Sequence, residues 1–115
     1  MKVKIYHNPR CGKSRQTLQL LRDHAVEPEI VEYLKTPPDA AELEQLLDRL
    51  GLEPRDLMRR QEPEYKALGL NDPGLSRAQL VAAMVEHPKL IERPIVVKGK
   101  QARLGRPPEQ VLELL

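Results

Sequence analysis

The stretch up to Leu34 constrains the fold more than any other part of the chain, because it reads as strand, helix, strand. Val3 and Ile5 alternate with Lys2 and Lys4, as in a short strand with one face turned inward. Asn8-Pro9 then turns the chain. From about Ser14, Leu18, Leu21 and Ala25 recur at helical spacing among polar positions that include Arg15, Gln19 and Arg22, and the helix should end near His24. Ile30-Val31-Glu32-Tyr33-Leu34 reads as a second strand. A unit of this length predicts a parallel pair joined by a right-handed crossover.

Thr36-Pro37-Pro38 breaks that unit, and a helical block follows. Asp39 with Glu42 matches a capping-box-like start, and Leu43, Leu46, Leu47 and Leu50 form a stripe that Gly51 stops. Residues 53 to 71 read as short helical pieces broken by Pro54, Pro63 and Gly69. Ser76 with Gln79 caps a further helix carrying Leu80, Ala83 and Met84, which ends before Pro88. Pro94-Ile95-Val96-Val97 is a buried-type strand, Lys98-Gly99-Lys100 a hairpin turn and Gln101 to Leu104 the return strand. Pro107-Pro108 opens a final helix with Val111, Leu112 and Leu115. At 115 residues, with no repeat or linker, the chain is expected to be a single domain.

The core must be aliphatic, since there is no Trp or Phe and there are only three Tyr. A net charge of +2 from 19 basic and 17 acidic residues gives no polycation, so nucleic-acid binding is not expected and any anion site must be local. No apolar run approaches bilayer-spanning length, and the N-terminus leads straight into a strand, so no membrane association and a cytoplasmic location are expected. One cysteine excludes an internal disulfide.

That cysteine, Cys11, falls where the first strand gives way to the first helix, in Tyr6-His7-Asn8-Pro9-Arg10-Cys11-Gly12-Lys13-Ser14-Arg15. Thiolate is the reactive form, and unpaired N–H groups at a helix start, with Arg10, Lys13 and Arg15 nearby, favour it. Gly12 would let a second molecule approach the sulfur. His7 could add to that reactivity. Gly12-Lys13-Ser14 also suggests a phosphate loop, but the earlier glycine that motif needs would fall at His7. The histidines, at 7, 24 and 87, are dispersed, so no metal site is expected. Arg93-Pro94 and Arg106-Pro107 each fix an arginine at an element boundary, and guanidinium forks match tetrahedral oxyanions.

These residues resemble the glutaredoxin-coupled arsenate reductases of the thioredoxin-like superfamily. The resemblance rests on the run at 6 to 15, Leu-Met-Arg at 57 to 59, Glu-Arg-Pro-Ile-Val-Val at 92 to 97 and Arg-Leu-Gly-Arg-Pro at 103 to 107, and it covers essentially the whole chain. It implies an α/β, thioredoxin-like (glutaredoxin-like) fold: a mixed four-stranded sheet with a helical insertion at about 39–90. It implies Cys11 as nucleophile, Arg59, Arg93 and Arg106 as the arginines that hold arsenate, and His7, Ser14 and Arg15 as the supporting shell. Pro94 resembles the proline held cis beside the active-site cysteine. The implied reaction reduces arsenate to arsenite through a thiolate–arsenate adduct, with glutathione as thiol co-substrate, glutaredoxin as partner and no bound cofactor. Phosphate or sulfate should mimic arsenate in the site.

The chain looks closest to the short chromosomal homologues, and Gly105 stands where some longer plasmid-type reductases have a cysteine. Arg60 adjoins Arg59, and composition alone does not separate them; the family motif selects Arg59. Two other readings keep the fold. One is a general glutathione-dependent thiol-disulfide reductase. The other is a redox-responsive binding protein like the Spx-type regulators, which typically carry Cys-x-x-Cys where this chain has Ser14.

Overall fold

The computed structural model describes residues 2–115. It forms two compact units, one made of the described residues up to Thr36 together with Arg93–Leu115, the other of Pro37–Glu92. In the first unit, strands β1 (Val3–His7), β2 (Glu29–Glu32), β3 (Ile95–Lys98) and β4 (Gln101–Leu104) make a mixed sheet of order β2-β1-β3-β4. β1 and β2 pair in parallel with Ile5 opposite Ile30 and His7 opposite Glu32. β3 runs antiparallel to both β1 and β4. Gly99, at φ 62, and Lys100 make the two-residue turn between β3 and β4. This is the mixed four-stranded sheet of the thioredoxin-like fold.

Helix α1 (Gly12–Asp23) crosses from β1 to β2 and packs, with the C-terminal 3-10 segment Pro108–Leu114, on the sheet. Val3, Ile5, Leu21, Val96, Val111 and Leu114 form the core there, with Leu18, Leu20 and Val26 packed against it. Three details differ from the sequence-based expectation. The buried positions of α1 are Ser14, Thr17 and Leu21, whereas Ala25 is exposed and lies past the helix end. There Val26 N–H donates to Leu21 O (2.9 Å) and Ala25 N–H to Arg22 O (3.0 Å), a Schellman closure that puts Ala25 at φ 62. β2 stops at Glu32, whose carbonyl accepts from Lys35 and Thr36, so Tyr33 is buried outside the strand and Leu34 is exposed. The last element is 3-10 rather than α; Val111 is buried as expected, but the three-residue period buries Leu114 in place of Leu112 and Leu115.

The second unit holds α2 (Ala40–Leu50), α3 (Pro63–Ala67) and α4 (Arg77–Glu86), with 3-10 turns at Pro54–Leu57 and Pro88–Leu90. The Asp39 side chain accepts from Glu42 N–H at 2.8 Å, and Gly51 closes α2 at φ 70. Ser76 and Gln79 form a reciprocal capping box on α4. Leu43, Leu46 and Leu47 of α2 and Leu80, Val81 and Met84 of α4 are the buried faces of a packed helix pair. Among the described residues no helix is long and apolar enough to cross a membrane.

Candidate active site

Cys11 is the N-cap of α1, in extended conformation at φ −95 and ψ 125, and is only 8% exposed. The loop before it is tied down from several sides. Cys11 N–H donates to Asn8 O at 3.0 Å, Arg10 N–H donates to the Asn8 side chain at 3.0 Å, and Asn8 N–H donates to Ser14 Oγ at 3.4 Å. Arg15 Nη1 reaches back to Pro9 O at 2.9 Å. Two of the shell residues expected from sequence, Ser14 and Arg15, therefore hold the backbone that carries the sulfur.

The first turn of α1 has no acidic residue and carries Lys13 and Arg15. Cations at a helix N-terminus oppose the macrodipole, so the turn favours a negative charge at its cap. Burial alone would push the Cys11 thiol up. The Ser14 N–H, the Arg93 charge, the Ser14 hydroxyl and the Lys13 N–H act against burial and bring it below the ordinary thiol value. The sulfur makes no side-chain cap hydrogen bond, and a thiolate is the stronger acceptor that these donors favour.

His7 ends β1 at 6% exposure, and its Nδ1 is buried without a hydrogen-bond partner. Burial lowers its pKa, Glu32 on the neighbouring strand opposes that, and Arg22 and Arg15 add to it. The ring is thus kept neutral at pH values where a free histidine begins to protonate.

The Arg93–Pro94 and Arg106–Pro107 peptide bonds are both cis. Gly105 N–H donates to Pro94 O at 2.9 Å, and Arg106 Nη1 donates to Arg93 O at 3.3 Å, which joins the two arginine-bearing segments. Gly105 is buried where a side chain has no room: a Cβ would lie 2.5 Å from Thr17 Oγ1 and 2.7 Å from Pro94 Cγ. Thr17, fully buried with its hydroxyl unpartnered, is a residue the sequence reading passed over. The three-residue spacing of Cys11, Ser14 and Thr17 along one face of α1 was the available signal.

Cys11, His7, Ser14, Arg15, Arg93, Pro94 and Arg106 all belong to the first unit, and Arg59 belongs to the second. Arg59 Nη2 pairs with Glu62 Oε1 at 2.7 Å, and both side chains are largely covered. Arg60 is more exposed and turns to Asp56 at 3.4 Å and to Arg55 O at 3.1 Å. Among the described residues no group of three or more His, Cys, Asp or Glu could hold a metal ion.

A mixed β2-β1-β3-β4 sheet with a cysteine capping its first helix places the chain in the thioredoxin-like class. The ArsC family model matches residues 6–114, and the chain belongs to the ArsC family. It is 50% identical over 115 residues to an arsenate reductase of Rhizobium meliloti (strain 1021), covering 100% of this chain and 82% of that protein. It is 60% identical over 114 residues to the uncharacterized protein YfgD of Escherichia coli (strain K12), covering 98% and 96%. Among solved structures, an arsenate reductase from Vibrio cholerae superposes with a TM-score of 0.98 at 58% identity, covering 100% of this chain and 98% of that one.

Proposed function

We propose that this chain is an arsenate reductase that uses the Cys11 thiolate as nucleophile and external thiols as reductant. The observation that carries the reading is the Cys11 thiol, held below its ordinary pKa at the cap of α1 by Ser14, Arg93 and Lys13. The arsenate reductases among its relatives supply the substrate.

In the first step the sulfur attacks arsenic of dihydrogen arsenate, forming an S–As bond while an As–O bond breaks, and the departing hydroxide takes the proton of the second As–OH group and leaves as water. Arg59, Arg93 and Arg106 bind the oxyanion and offset its charge. His7, Ser14 and Arg15 support the cysteine. A glutathione thiolate then attacks the Cys11 sulfur, and the S–As electron pair stays on arsenic, reducing it by two electrons to arsenite. The two sulfurs are left as a mixed disulfide. Glutaredoxin removes the glutathionyl group and restores the thiolate, and a second glutathione regenerates glutaredoxin. The cycle needs no metal or bound cofactor, and its thiol requirement suits the reducing cytoplasm.

The test is arsenite production by purified protein with arsenate, glutathione and glutaredoxin, beside Cys11→Ser. Turnover should vanish in the variant. Wild type that makes no arsenite, yet turns over a glutathionylated substrate through Cys11, would instead assign a general thiol-disulfide reductase.

A further inference from the structure

We propose that Glu62 sets how tightly the chain holds its oxyanion, by standing as an internal counter-ion on Arg59; the inference rests on the reading of Arg59 as an oxyanion-binding residue. The backbone here is closely fixed. Arg59 N–H donates to Leu90 O at 2.7 Å, Glu92 N–H to Leu57 O at 2.7 Å, and Met58 bridges to Ile91 between them. Glu62 N–H closes a turn onto Arg59 O at 3.1 Å, which brings the carboxylate back over the guanidinium.

The position of Glu62 makes its choice of partner informative. It is the N-cap of α3, where a carboxylate ordinarily accepts from the free N–H groups of the first turn, yet its side chain makes no such bond. It pairs with Arg59 at 2.7 Å instead, with the two side chains 27% and 19% exposed. The neighbouring Arg60–Asp56 pair is 55% and 49% exposed. The Arg59–Glu62 charges therefore meet with less water to screen them.

A guanidinium has five N–H donors. Nη2 serves Glu62 and Nη1 donates to Lys89 O at 3.4 Å, so the remaining donors can face an arriving oxyanion while the carboxylate stays in place. Glu62 then has two opposed effects. It orients the guanidinium, which helps binding, and its negative charge repels the anion, which weakens it. Lys89 O and the fixed backbone also orient Arg59, so the charge outweighs the orienting effect. The result is an arginine that grips a divalent tetrahedral anion loosely. A phosphate of the same shape is then less able to occupy the site permanently, while chemistry at Cys11 commits only the reducible anion.

The experiment is a calorimetric titration of inorganic sulfate into the full-length chain and its Arg59→Ala, Glu62→Gln and Glu62→Ala variants. Glutamine keeps an acceptor oxygen for Arg59 and removes the charge. Sulfate should bind Glu62→Gln about fivefold more tightly than wild type, with a smaller gain in Glu62→Ala, and the KM for arsenate should fall in Glu62→Gln with kcat nearly unchanged. Weaker or unchanged sulfate binding in Glu62→Gln, with Arg59→Ala clearly impaired, overturns the proposal and leaves Arg59 in its role. Arg59→Ala that binds sulfate like wild type overturns the role of Arg59 itself.

Discussion

Ser14 lies one turn along α1 from Cys11 and favours its thiolate from two directions, through its backbone N–H and through its hydroxyl. The same hydroxyl oxygen accepts from Asn8 N–H, so one small buried side chain holds both the loop and the sulfur. Ser14→Ala removes the hydroxyl and keeps the N–H. The Cys11 pKa should move up, and alkylation by iodoacetamide at neutral pH should slow by about fivefold, the worth of one hydrogen bond of about 1 kcal/mol. An unchanged rate would assign the activation to the backbone and Arg93 alone.

His7 gives the fold an acid limit. Its folded-state pKa is lowered from 6.5, chiefly by burial, so the unfolded chain binds the proton more readily than the native one. The stability from a neutral His7 is complete above pH 6.5 and is lost as pH falls through the lowered folded value. Urea midpoints measured from neutral to acidic pH should therefore decline in wild type, and His7→Gln should flatten that part of the decline. A parallel decline in both proteins would remove His7 as its source.

Gly105 and Thr17 should behave as one unit. The methyl of Gly105→Ala would press on Thr17 Oγ1 and on Pro94 Cγ, at a cost of about 1–3 kcal/mol. Thr17→Ala alone removes a buried hydroxyl that lacks a partner together with a buried γ-methyl, and should cost about 1 kcal/mol for the space left behind. With both changes the loss should be smaller than the sum of the two, by a coupling of about 1 kcal/mol in denaturant titrations. Strict additivity would show that Pro94 carries the clash.

Ala25 occupies a position that suits glycine. At φ 62 it closes α1 in the way that Gly51, at φ 70, closes α2, but it carries a Cβ that the left-handed region disfavours. Ala25→Gly should raise stability by about 0.5–1 kcal/mol, read as a higher urea midpoint with an unchanged slope. A drop would mean that the flexibility added to the unfolded chain outweighs the relieved strain.

What the sequence made legible was local chemistry with a single solution. Asp39 and Gly51 bound α2, Ser76 and Gln79 cap α4, and the short unit before Thr36 forms the parallel strand pair, each as the residues themselves require. The less legible features came from packing. Leu18 and Ala25 outrank Ser14 and Thr17 in hydrophobicity, yet the latter are the fully buried pair, because close approach of Gly105 favours a small side chain at 17 and the Asn8 loop engages a hydroxyl at 14. Likewise the motif singled out Arg59 but was silent on Glu62, since an ion pair across a turn has no periodicity to announce it.

Cys11 is the end-piece of a helix, and under the proposed function it is also the reagent, which would couple turnover to the free energy of the fold. The charge that the start of α1 favours is present only when the sulfur is a thiolate. In the proposed cycle a disulfide bond from this sulfur removes it, and the first turn is left with Lys13 and Arg15 and no anion at its cap. In that cycle the helix start therefore favours the thiolate form of Cys11 over the mixed disulfide. A reduced form stabilised in this way would make the proposed mixed disulfide a better oxidant, so the helix start that favours the thiolate would also favour its regeneration.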